Sequence, residues 1–414
     1  MNIQCLKCKG ADLACGRAFC PIVAKSQAAF RVKDNIGAIQ GEDFFGASPA
    51  PFVGRFGYPY VNVGILSPAN TTEGVWEYDA PRHWASSNYS IPQIIDFRSA
   101  LINSRFKSYI KQKSNKLLEI SQEVGMASKP VEVEINLQQK PKFRLNTDSY
   151  IAPTGPNASI KNAEITSNPK IHTKVDKAVS DTDLKAASAL LDLFRHGFDE
   201  NFLSKLLSVG NLGIGKSRKL VPTRWSITAV DDTVGKNWIS EIKQYQEADY
   251  TAYFGGYLGN YFLILFYPDV WSYELFETYM PKASWNVTEE AQFTTDSEPY
   301  AGRKDYAENC GGGYYAARLP ILDKLKQIKR QASVLCLRFI TGEYAVPLGV
   351  WVVREAVRKA MSSKPLHFAD KSLMMKYANA LIKKKFGFNL ENITKYSILL
   401  KEMKQQKKLT SFIA

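Results

Sequence analysis

Histidines, catalytic motifs and long apolar runs are scarce in this chain of 414 residues. Neither H-E-x-x-H nor G-x-S-x-G occurs, so the sequence lacks the patterns typical of zinc peptidases and serine hydrolases. The longest apolar stretch, Tyr261–Tyr267, is far too short to cross a bilayer, and no signal-peptide-like run follows Met1. We therefore expect a cytoplasmic protein with no membrane partner. The histidines stand far apart, and we expect each of them at the surface: His83, His172, His196 and His367.

Acidic residues are fewer than basic residues: the chain has 40 Asp and Glu and 54 Lys and Arg. The formal charge is therefore +14, and the pI is about 9.3. Most of the excess lies in residues 351–414, where 14 Lys and Arg accompany four Asp and Glu. A basic surface attracts polyanions, and so we expect DNA as a partner. A solvated helix face is the alternative explanation of the lysine clusters.

Cysteine is rare outside the first 20 residues, which hold four of the six. Their spacing, Cys5-x2-Cys8-x6-Cys15-x4-Cys20, predicts a structural Zn²⁺ site, because tetrahedral zinc needs four soft donors and so short a segment folds only with such a staple. An iron–sulfur cluster and two disulfides are the alternatives. Buried structural thiols are expected at the two remaining positions, Cys310 and Cys336.

Helical and strand patterns alternate without a regular βαβ rhythm, which predicts an α+β fold. The length favours two domains, and we predict a zinc module at 1–22, an N-terminal domain at 23–290, a helical C-terminal domain at 291–404 and a flexible tail at 405–414. Hydrophobic periodicity predicts a long helix or a helix pair at 91–121, and helices at 181–194, 201–209, 315–337, 350–361 and 371–385. Strands are predicted at 131–137, 220–230 and 262–267, strand and turn at 53–66, and loops at 147–170 and 292–313.

A glycine-rich stretch, Gly210-Asn-Leu-Gly-Ile-Gly-Lys-Ser217, matches the G-x4-G-K-S motif of phosphate-binding loops. Its neighbours do not suit that motif, because apolar residues at helical spacing precede it and Pro222 would break a helix that followed it. We expect a helix that ends at Gly210, followed by a turn. An ATPase that uses Gly210–Ser217 is the alternative.

The strongest candidate site follows between Ser217 and Asp232, where cations and hydroxyl groups stand among apolar residues. Alternation along a strand would bring Arg224, Ser226 and Thr228 to one face, where they would suit a phosphate-bearing ligand. Asp231 and Asp232 are candidates for binding a divalent cation such as Mg²⁺ or for acid–base catalysis. A hydrogen-bonded Arg–Asp network that holds the fold together is the structural alternative. The predicted phosphate-binding residues are Arg55, Arg218, Lys219, Arg224, Ser226, Thr228 and Arg303.

A second glycine-rich turn, Gly311-Gly-Gly-Tyr-Tyr315, follows Arg303 and opens a predicted helix. Glycine-rich turns at the start of a helix favour anions. The alternative is a tight turn that Tyr314 and Tyr315 pack.

The last nine residues read Gln406-Lys-Lys-Leu409-Thr-Ser-Phe412-Ile413-Ala414. This pattern, Q-x-x-L-x-x-F-I, resembles a sliding-clamp (PCNA) interacting peptide. A helical turn would bring Leu409, Phe412 and Ile413 to one side for an apolar pocket, while Gln406 would satisfy backbone groups beside it. The frayed end of a basic helix is the alternative.

Together these segments resemble the archaeal Nre-type ("novel repair enzyme") DNA repair proteins of the A-type. The resemblance spans nearly the whole chain and rests on the four-cysteine motif, Phe52–Gly64, Ser217–Asp232, Gly302–Tyr306, Gly312–Arg318, Pro347–Arg354 and the tail. The tail departs from clamp peptides that end in two aromatics, and we expect Ile413 to weaken docking. The resemblance implies DNA repair through the sliding clamp, without a defined chemical activity.

We therefore hypothesise a DNA repair factor that the clamp recruits, with structural Zn²⁺ and a pocket for a phosphate-bearing nucleotide or a DNA end. A non-catalytic, zinc-containing adaptor for the clamp and an ATPase remain the alternatives.

Overall fold

The computed structural model describes residues 8, 20, 22–23, 26–27, 30, 42–69, 73–112, 115–141, 152, 154–286 and 288–405. These residues form two compact units. The first takes the described residues up to Val234 together with Val346–Leu348, and the second takes Gly235–Ala345 and the described residues from Gly349 onward. Each unit contains a six-stranded sheet and helices, which confirms the α+β class. The predicted tail from Gln406 lies outside the described residues, and so do Cys5 and Cys15 of the predicted zinc module.

The sheet of the first unit has the strand order β1-β5-β6-β4-β3-β2. Its strands are β1 (Asp43–Ser48), β2 (Ala50–Val53), β3 (Tyr60–Ser67), β4 (Ile102–Tyr109), β5 (Val131–Leu137) and β6 (Asn157–Ile165). The pair β4–β6 is parallel, and the other neighbours are antiparallel. The helices are α1 (Pro81–Ser86), α2 (Ile91–Ala100), α3 (Lys116–Met126), α4 (Thr173–Ser180), α5 (Ala186–Arg195), α6 (Glu200–Ser208) and α7 (Thr223–Ile242), the last of which ends in the second unit.

The end of this sheet formed by β2, β3 and β4 has one buried and one open face. Along β3, Val61, Val63 and Ile65 are buried, whereas Tyr60 is exposed and Asn62 is half-buried. This alternation follows from the two-residue repeat of a strand. Residues of α3, among them Leu118 and Val124, cover the buried side.

The sheet of the second unit has the order β10-β9-β11-β8-β7-β12 and is antiparallel except for the pair β9–β11. Its strands are β7 (Thr251–Tyr257), β8 (Asn260–Tyr267), β9 (Ser272–Tyr279), β10 (Gln292–Glu298), β11 (Ser333–Ile340) and β12 (Leu366–His367). The helices are α8 (Gly312–Gln327), α9 (Trp351–Met361), α10 (Lys371–Phe386), α11 (Glu391–Thr394) and α12 (Ile398–Gln405).

Helices cover both faces of this second sheet, which is why β11 is buried along its whole length. On one face, α10 and α12 contribute Ile382 and Leu399 to a core shared with Leu263. On the other face, α9 comes so near β7 that a Cβ on Gly255 would lie 2.7 Å from the Cα of Ala360. Within the described ranges, no helix combines the length and the apolar character needed to cross a membrane.

Many of the predicted elements are confirmed. The strands at 131–137 and 262–267, the strand and turn at 53–66 and the helices at 201–209, 350–361 and 371–385 are present within a few residues of their predicted bounds. The helix predicted at 181–194 begins only at Ala186, and α4 precedes it.

Other predicted elements are wrong. Residues 91–121, predicted as a long helix or a helix pair, contain α2 and the start of α3, but β4 lies between them. The loops predicted at 147–170 and 292–313 contain β6 and β10, and the helix predicted at 315–337 ends at Gln327, before β11. The strand predicted at 220–230 is the beginning of α7. The domain boundary predicted at residue 290, between β9 and β10, stays a prediction.

Candidate nucleic-acid interface

The segment Gly210–Arg224 connects α6 to α7 and is attached to one end of the first sheet. The backbone N–H of Leu220 donates to the carbonyl of Ile110 at 2.9 Å, and the N–H of Val53 donates to Oγ1 of Thr223 at 2.9 Å. Leu220 is buried in the same core cluster as Val53. These bonds place the cations of the segment beside the ends of β2 and β4.

The glycine-rich part of this segment does not have the surroundings of a phosphate-binding loop. Such a loop follows a strand and leads directly into a helix, whereas here α6 precedes it and α7 begins only after Pro222. Gly210 has a φ of 76° and donates its N–H to the carbonyl of Leu207 at 3.1 Å, so it ends α6 as predicted. Lys216 lies in a single 3-10 turn. This arrangement argues against an ATPase.

Arg224, Ser226 and Thr228 do not share a strand face, because all three lie on α7. In a helix, residues four apart share a side, and a residue two apart lies nearly opposite. Arg224 is exposed, whereas Ser226 is fully buried and donates to the carbonyl of Thr223 at 2.9 Å. Thr228 is half-buried, with its hydroxyl 3.5 Å from the carbonyl of Arg224. Of these three residues, only Arg224 is exposed.

Asp231 and Asp232 are also part of α7 and not of a strand end. Asp231 is 1% exposed and Asp232 is half-buried, and both interact with other groups of the protein. Among the described residues, no three His, Cys, Asp or Glu side chains cluster in a way that would hold a metal ion. A metal-binding or acid–base role of the two carboxylates therefore stays a prediction.

The other predicted cations of the first unit lie near Arg224. Arg55 is exposed in the turn between β2 and β3, with its guanidinium carbon 5.1 Å from the centre of the Phe56 ring. The Tyr58 ring of the same turn packs on Trp225 at 5.2 Å between centroids, which joins the turn to the start of α7.

Arg218 and Lys219 are half-buried at this end of the sheet. Arg218 donates to the carbonyl of Gly210 at 3.3 Å, and burial lowers its pKa. Because an arginine loses its proton only far above neutral pH, Arg218 stays cationic. Arg218 and Lys219 therefore add two positive charges beside Arg55 and Arg224.

No carboxylate interrupts the three stretches that form this end of the first unit, residues 50–67, 102–112 and 210–230. The first two contain β2, β3 and β4, and the third is the attached segment with the start of α7. A concentration of one sign attracts polyanions and is the electrostatic mark of a nucleic-acid contact. The stretches carry eight cations: Arg55, Arg105, Lys107, Lys111, Lys216, Arg218, Lys219 and Arg224.

Arg303 belongs to the second unit, where it has structural partners. Its guanidinium donates to the carbonyls of Asp305, Ser297 and Tyr306 at 2.9, 3.0 and 3.1 Å and pairs with the buried carboxylate of Asp296 at 2.8 Å. This use of its donors argues against the predicted phosphate contact.

The glycine-rich turn before α8 has the structural role given as the alternative. Tyr314 and Tyr315 are 0% and 5% exposed, and the buried guanidinium of Arg318, one turn further on, pairs with Glu298 at 2.6 Å. The turn is therefore packed by tyrosines, as that alternative predicts.

A cavity of about 400 Å³ lies elsewhere in the first unit. The ring of His83 is half-buried and packs on Trp76 at 4.8 Å between centroids. Lys205 is held there by a hydrogen bond to the carbonyl of Pro49 at 3.1 Å. None of the predicted phosphate-binding residues lines this cavity, whose walls include Trp76, Arg82, His83, Lys129, Asp199 and Lys205.

Comparison with known families decides the relationship of the chain. The model for the N-terminal part of archaeal Nre proteins matches residues 14–286, and the model for their C-terminal part matches residues 298–412. The chain belongs to the archaeal Nre family. This confirms the resemblance found in its motifs.

Three relatives of the family are described as DNA repair proteins. NreA and NreB of Archaeoglobus fulgidus are 39% and 37% identical to this chain over 368 residues, which cover 88% of the chain and 90% of each relative. NreA of Haloferax volcanii is 36% identical over 335 residues, which cover 79% of the chain and 80% of that relative. No solved structure matches the chain.

Proposed function

We propose that this chain is a DNA repair factor that contacts DNA phosphates through the first unit and is recruited by the sliding clamp through Gln406–Ile413. The observation that carries the DNA contact is the group of eight cations, without a carboxylate, in the three stretches at one end of the first sheet. The DNA repair proteins of Archaeoglobus fulgidus and Haloferax volcanii, which are 36–39% identical to it over the aligned residues, support the assignment to repair.

The phosphate contact is assigned to Arg55, Arg218, Lys219 and Arg224. Arg55 and Arg224 are exposed, and the Tyr58–Trp225 ring contact joins the turn that carries Arg55 to the helix that carries Arg224. Exposed guanidinium groups on rigid backbone suit phosphate oxygens, because they donate in a fixed fork. Phosphate contacts hold a protein on DNA and do not read the sequence.

The clamp contact is assigned to the anchors Leu409, Phe412 and Ile413 with Gln406. The helix before them, α12, ends at Gln405, and its Leu399 and Leu400 are buried in the core of the second unit. A short peptide with anchors three and four residues apart can bind a groove on a partner while its own domain stays folded.

The proposal also includes a zinc site at the N-terminal cysteines and a nucleotide or Mg²⁺ as a ligand. Cys5, Cys8, Cys15 and Cys20 are proposed to hold one structural Zn²⁺, since four thiolates are a donor set of closed zinc sites. Such an ion would stabilise a segment too short for its own core. A nucleotide or Mg²⁺ beside Arg224 stays a prediction.

A titration against a purified archaeal sliding clamp tests recruitment. The full chain is expected to bind with a Kd on the order of 1 μM, or about −8 kcal/mol. Deletion of 406–414 and the double variant Leu409→Ala/Phe412→Ala should both abolish binding without a change in melting temperature. Indistinguishable curves for the full chain and the deletion would overturn the clamp assignment.

A DNA titration tests the phosphate contact. Arg224→Ala should weaken binding of a duplex and lower the slope of log Kd against log salt by about one phosphate contact. Lys177→Ala, which removes an exposed charge from α4 of the same unit, should leave both unchanged. If Arg224→Ala lowers the melting temperature and leaves affinity unaltered, the residue has a structural role only.

A further inference from the structure

The open face of the first sheet carries aromatic side chains that the phosphate contact does not use. Phe52, Tyr60 and Tyr109 are 39%, 63% and 38% exposed, and Tyr58 and Trp225 at the edge of this face are 43% and 45% exposed. Single exposed aromatics are ordinary on protein surfaces, but a contiguous group marks a place where something binds.

Strand register shows that these side chains share one face. Tyr60 of β3 lies opposite Tyr109 of β4, and their ring centroids are 5.2 Å apart. Phe52 of β2 lies opposite Gly64 of β3. Gly64 is on the same side of β3 as Tyr60 and Asn62, because side chains alternate along a strand. Because residues directly opposite each other in an antiparallel pair project to the same side, Phe52, Tyr60 and Tyr109 all project from one face of the three strands, with Phe52 level with Arg105.

Cations stand between these aromatics. On β4, Arg105, Lys107 and Tyr109 follow one another at every second residue, so they lie on one side of the strand. Lys107 is exposed and lies opposite Asn62, and Arg105 lies opposite Gly64. The face thus offers flat apolar rings with positive charges beside them.

We propose that this face, formed by Phe52, Tyr60, Arg105, Lys107 and Tyr109, is a stacking platform for an unpaired DNA strand. Bases stack on exposed rings and the backbone follows the cations, a combination that binds single strands without sequence preference. A duplex hides the faces of its bases and cannot use the rings. This inference rests on the proposed DNA contact and adds the class of DNA that the face would bind.

Charge argues against a basic protein as the occupant of this face. A protein partner would find aromatic rings, but β2, β3, β4 and the turn between the first two offer no carboxylate to pair with a basic partner. Acidic side chains of this sheet lie on β5, where Glu132 and Glu134 are exposed, and on β6. The platform therefore occupies the basic end of a sheet whose other strands carry the acids.

Fluorescence anisotropy with a labelled thymidine oligonucleotide of about 15 nucleotides, and with a duplex of the same length, tests the platform in the full chain. The double variant Tyr60→Leu/Tyr109→Leu keeps apolar bulk and removes both rings. It should weaken single-strand binding about tenfold or more, the loss expected for at least one stacked base. Duplex affinity and the salt slope should stay unchanged, because every cation is retained.

Two controls make the result specific. Tyr60→Phe/Tyr109→Phe keeps the rings and should bind as the original chain does. Tyr300→Leu removes an exposed tyrosine of the second unit and should have no effect. The melting temperature of each variant is measured alongside, and equal losses for single strand and duplex would point to a structural role and overturn the platform.

The platform and the phosphate contact can fail separately. If the Leu double variant binds the oligonucleotide as the original chain does while Arg224→Ala weakens duplex binding, the platform is wrong and the phosphate contact stands. If the full chain binds neither probe at low salt, both are wrong, and the clamp titration alone decides recruitment.

Discussion

The side chain of Glu274 on β9 accepts a hydrogen bond from the hydroxyl of Ser397, at the start of α12. The same carboxylate accepts from the N–H groups of Ile398 and Leu399 at 3.0 and 3.2 Å. The first N–H groups of a helix lack partners within it, and a carboxylate there also meets the positive end of the helix dipole. A fully buried acid on the sheet thus fixes the helix from which the proposed clamp-binding segment continues.

Removal of this cap should loosen α12. Glu274→Ala removes the acceptor of the N–H groups of Ile398 and Leu399 and of the Ser397 hydroxyl, and we expect the free energy of unfolding to fall by about 2–4 kcal/mol. Amide hydrogen exchange should quicken in α12 more than in α10. Glu308→Ala, which removes an exposed carboxylate of the same unit, should change neither quantity. Equal protection of α12 in both variants would show that the cap is not needed.

The stability of the protein should depend on pH through the ionisation of the same carboxylate. Burial raises the pKa of Glu274 above its ordinary value of 4.5, and its hydrogen-bond donors partly oppose that shift. A raised pKa in the folded state means that the folded protein holds the proton more tightly. The contribution of Glu274 to stability is therefore fully present below about pH 4.5 and is lost as pH rises through the raised pKa.

Urea titrations of the original chain and Glu274→Gln between acid and neutral pH measure this effect. Because the amide does not titrate, the stability of the original chain relative to Glu274→Gln should fall as pH rises. A difference that grows in favour of the original chain would mean that the donors outweigh burial.

Breaking the buried ion pair Arg318–Glu298 should lower the free energy of unfolding more than breaking an exposed ion pair. Its side chains are 2% and 0% exposed, and Glu298 also accepts from the indole N–H of Trp271 at 3.2 Å. Glu298→Gln removes the negative charge that pairs with the buried guanidinium at 2.6 Å, which should cost about 3–5 kcal/mol. Arg318→Met/Glu298→Gln should recover part of this loss in a double-mutant cycle. Glu164→Gln, which breaks the exposed pair with Lys116, should give no measurable change in urea unfolding.

The elements that the sequence predicts poorly are those whose pattern fits two structures. Ile102 and Phe106 continue the helical spacing of α2, and no Gly or Pro marks the end of that helix. The pattern therefore predicts that the helix continues through the residues that form β4. β11 is buried at every position, and a continuous apolar run does not distinguish a strand from a buried helix. Elements with one unambiguous period were predicted well, among them β5, whose residues alternate between buried and exposed or half-buried positions.

The candidate site was predicted in part for a similar reason. Arg224 was predicted because it stands in a visible cluster of cations, whereas Arg55 is an isolated cation in its stretch, and both are exposed. The alternation of Arg224, Ser226 and Thr228 favoured a strand, although Pro222 before Thr223 is also typical of a helix start. The ring pair Tyr60–Tyr109 depends on the pairing of β3 with β4, and no local pattern encodes that pairing.

Thiol reactivity should separate the two groups of cysteines. Cys310 and Cys336 are 7% and 0% exposed, which confirms the prediction of buried thiols, and burial raises the pKa of both well above the ordinary range. Since the thiolate is the reacting form, iodoacetamide should modify them only after unfolding. If the cysteine module holds Zn²⁺, residues 1–22 should also be protected until a chelator is added, because metal-bound thiolates react slowly.

Peptide mapping by mass spectrometry after chelation decides the zinc proposal, with Cys310 and Cys336 as internal controls. Cys5 and Cys8 should become modified while the two buried thiols stay unmodified, and metal analysis should give about one zinc per chain, lost in Cys5→Ser/Cys8→Ser. An absorbance band of an iron–sulfur cluster, or thiols that become reactive only with a reductant, would instead favour the cluster or the disulfides. Rapid modification of Cys5 and Cys8 before chelation would show that no metal protects them, because a four-thiolate site cannot leave half of its ligands free.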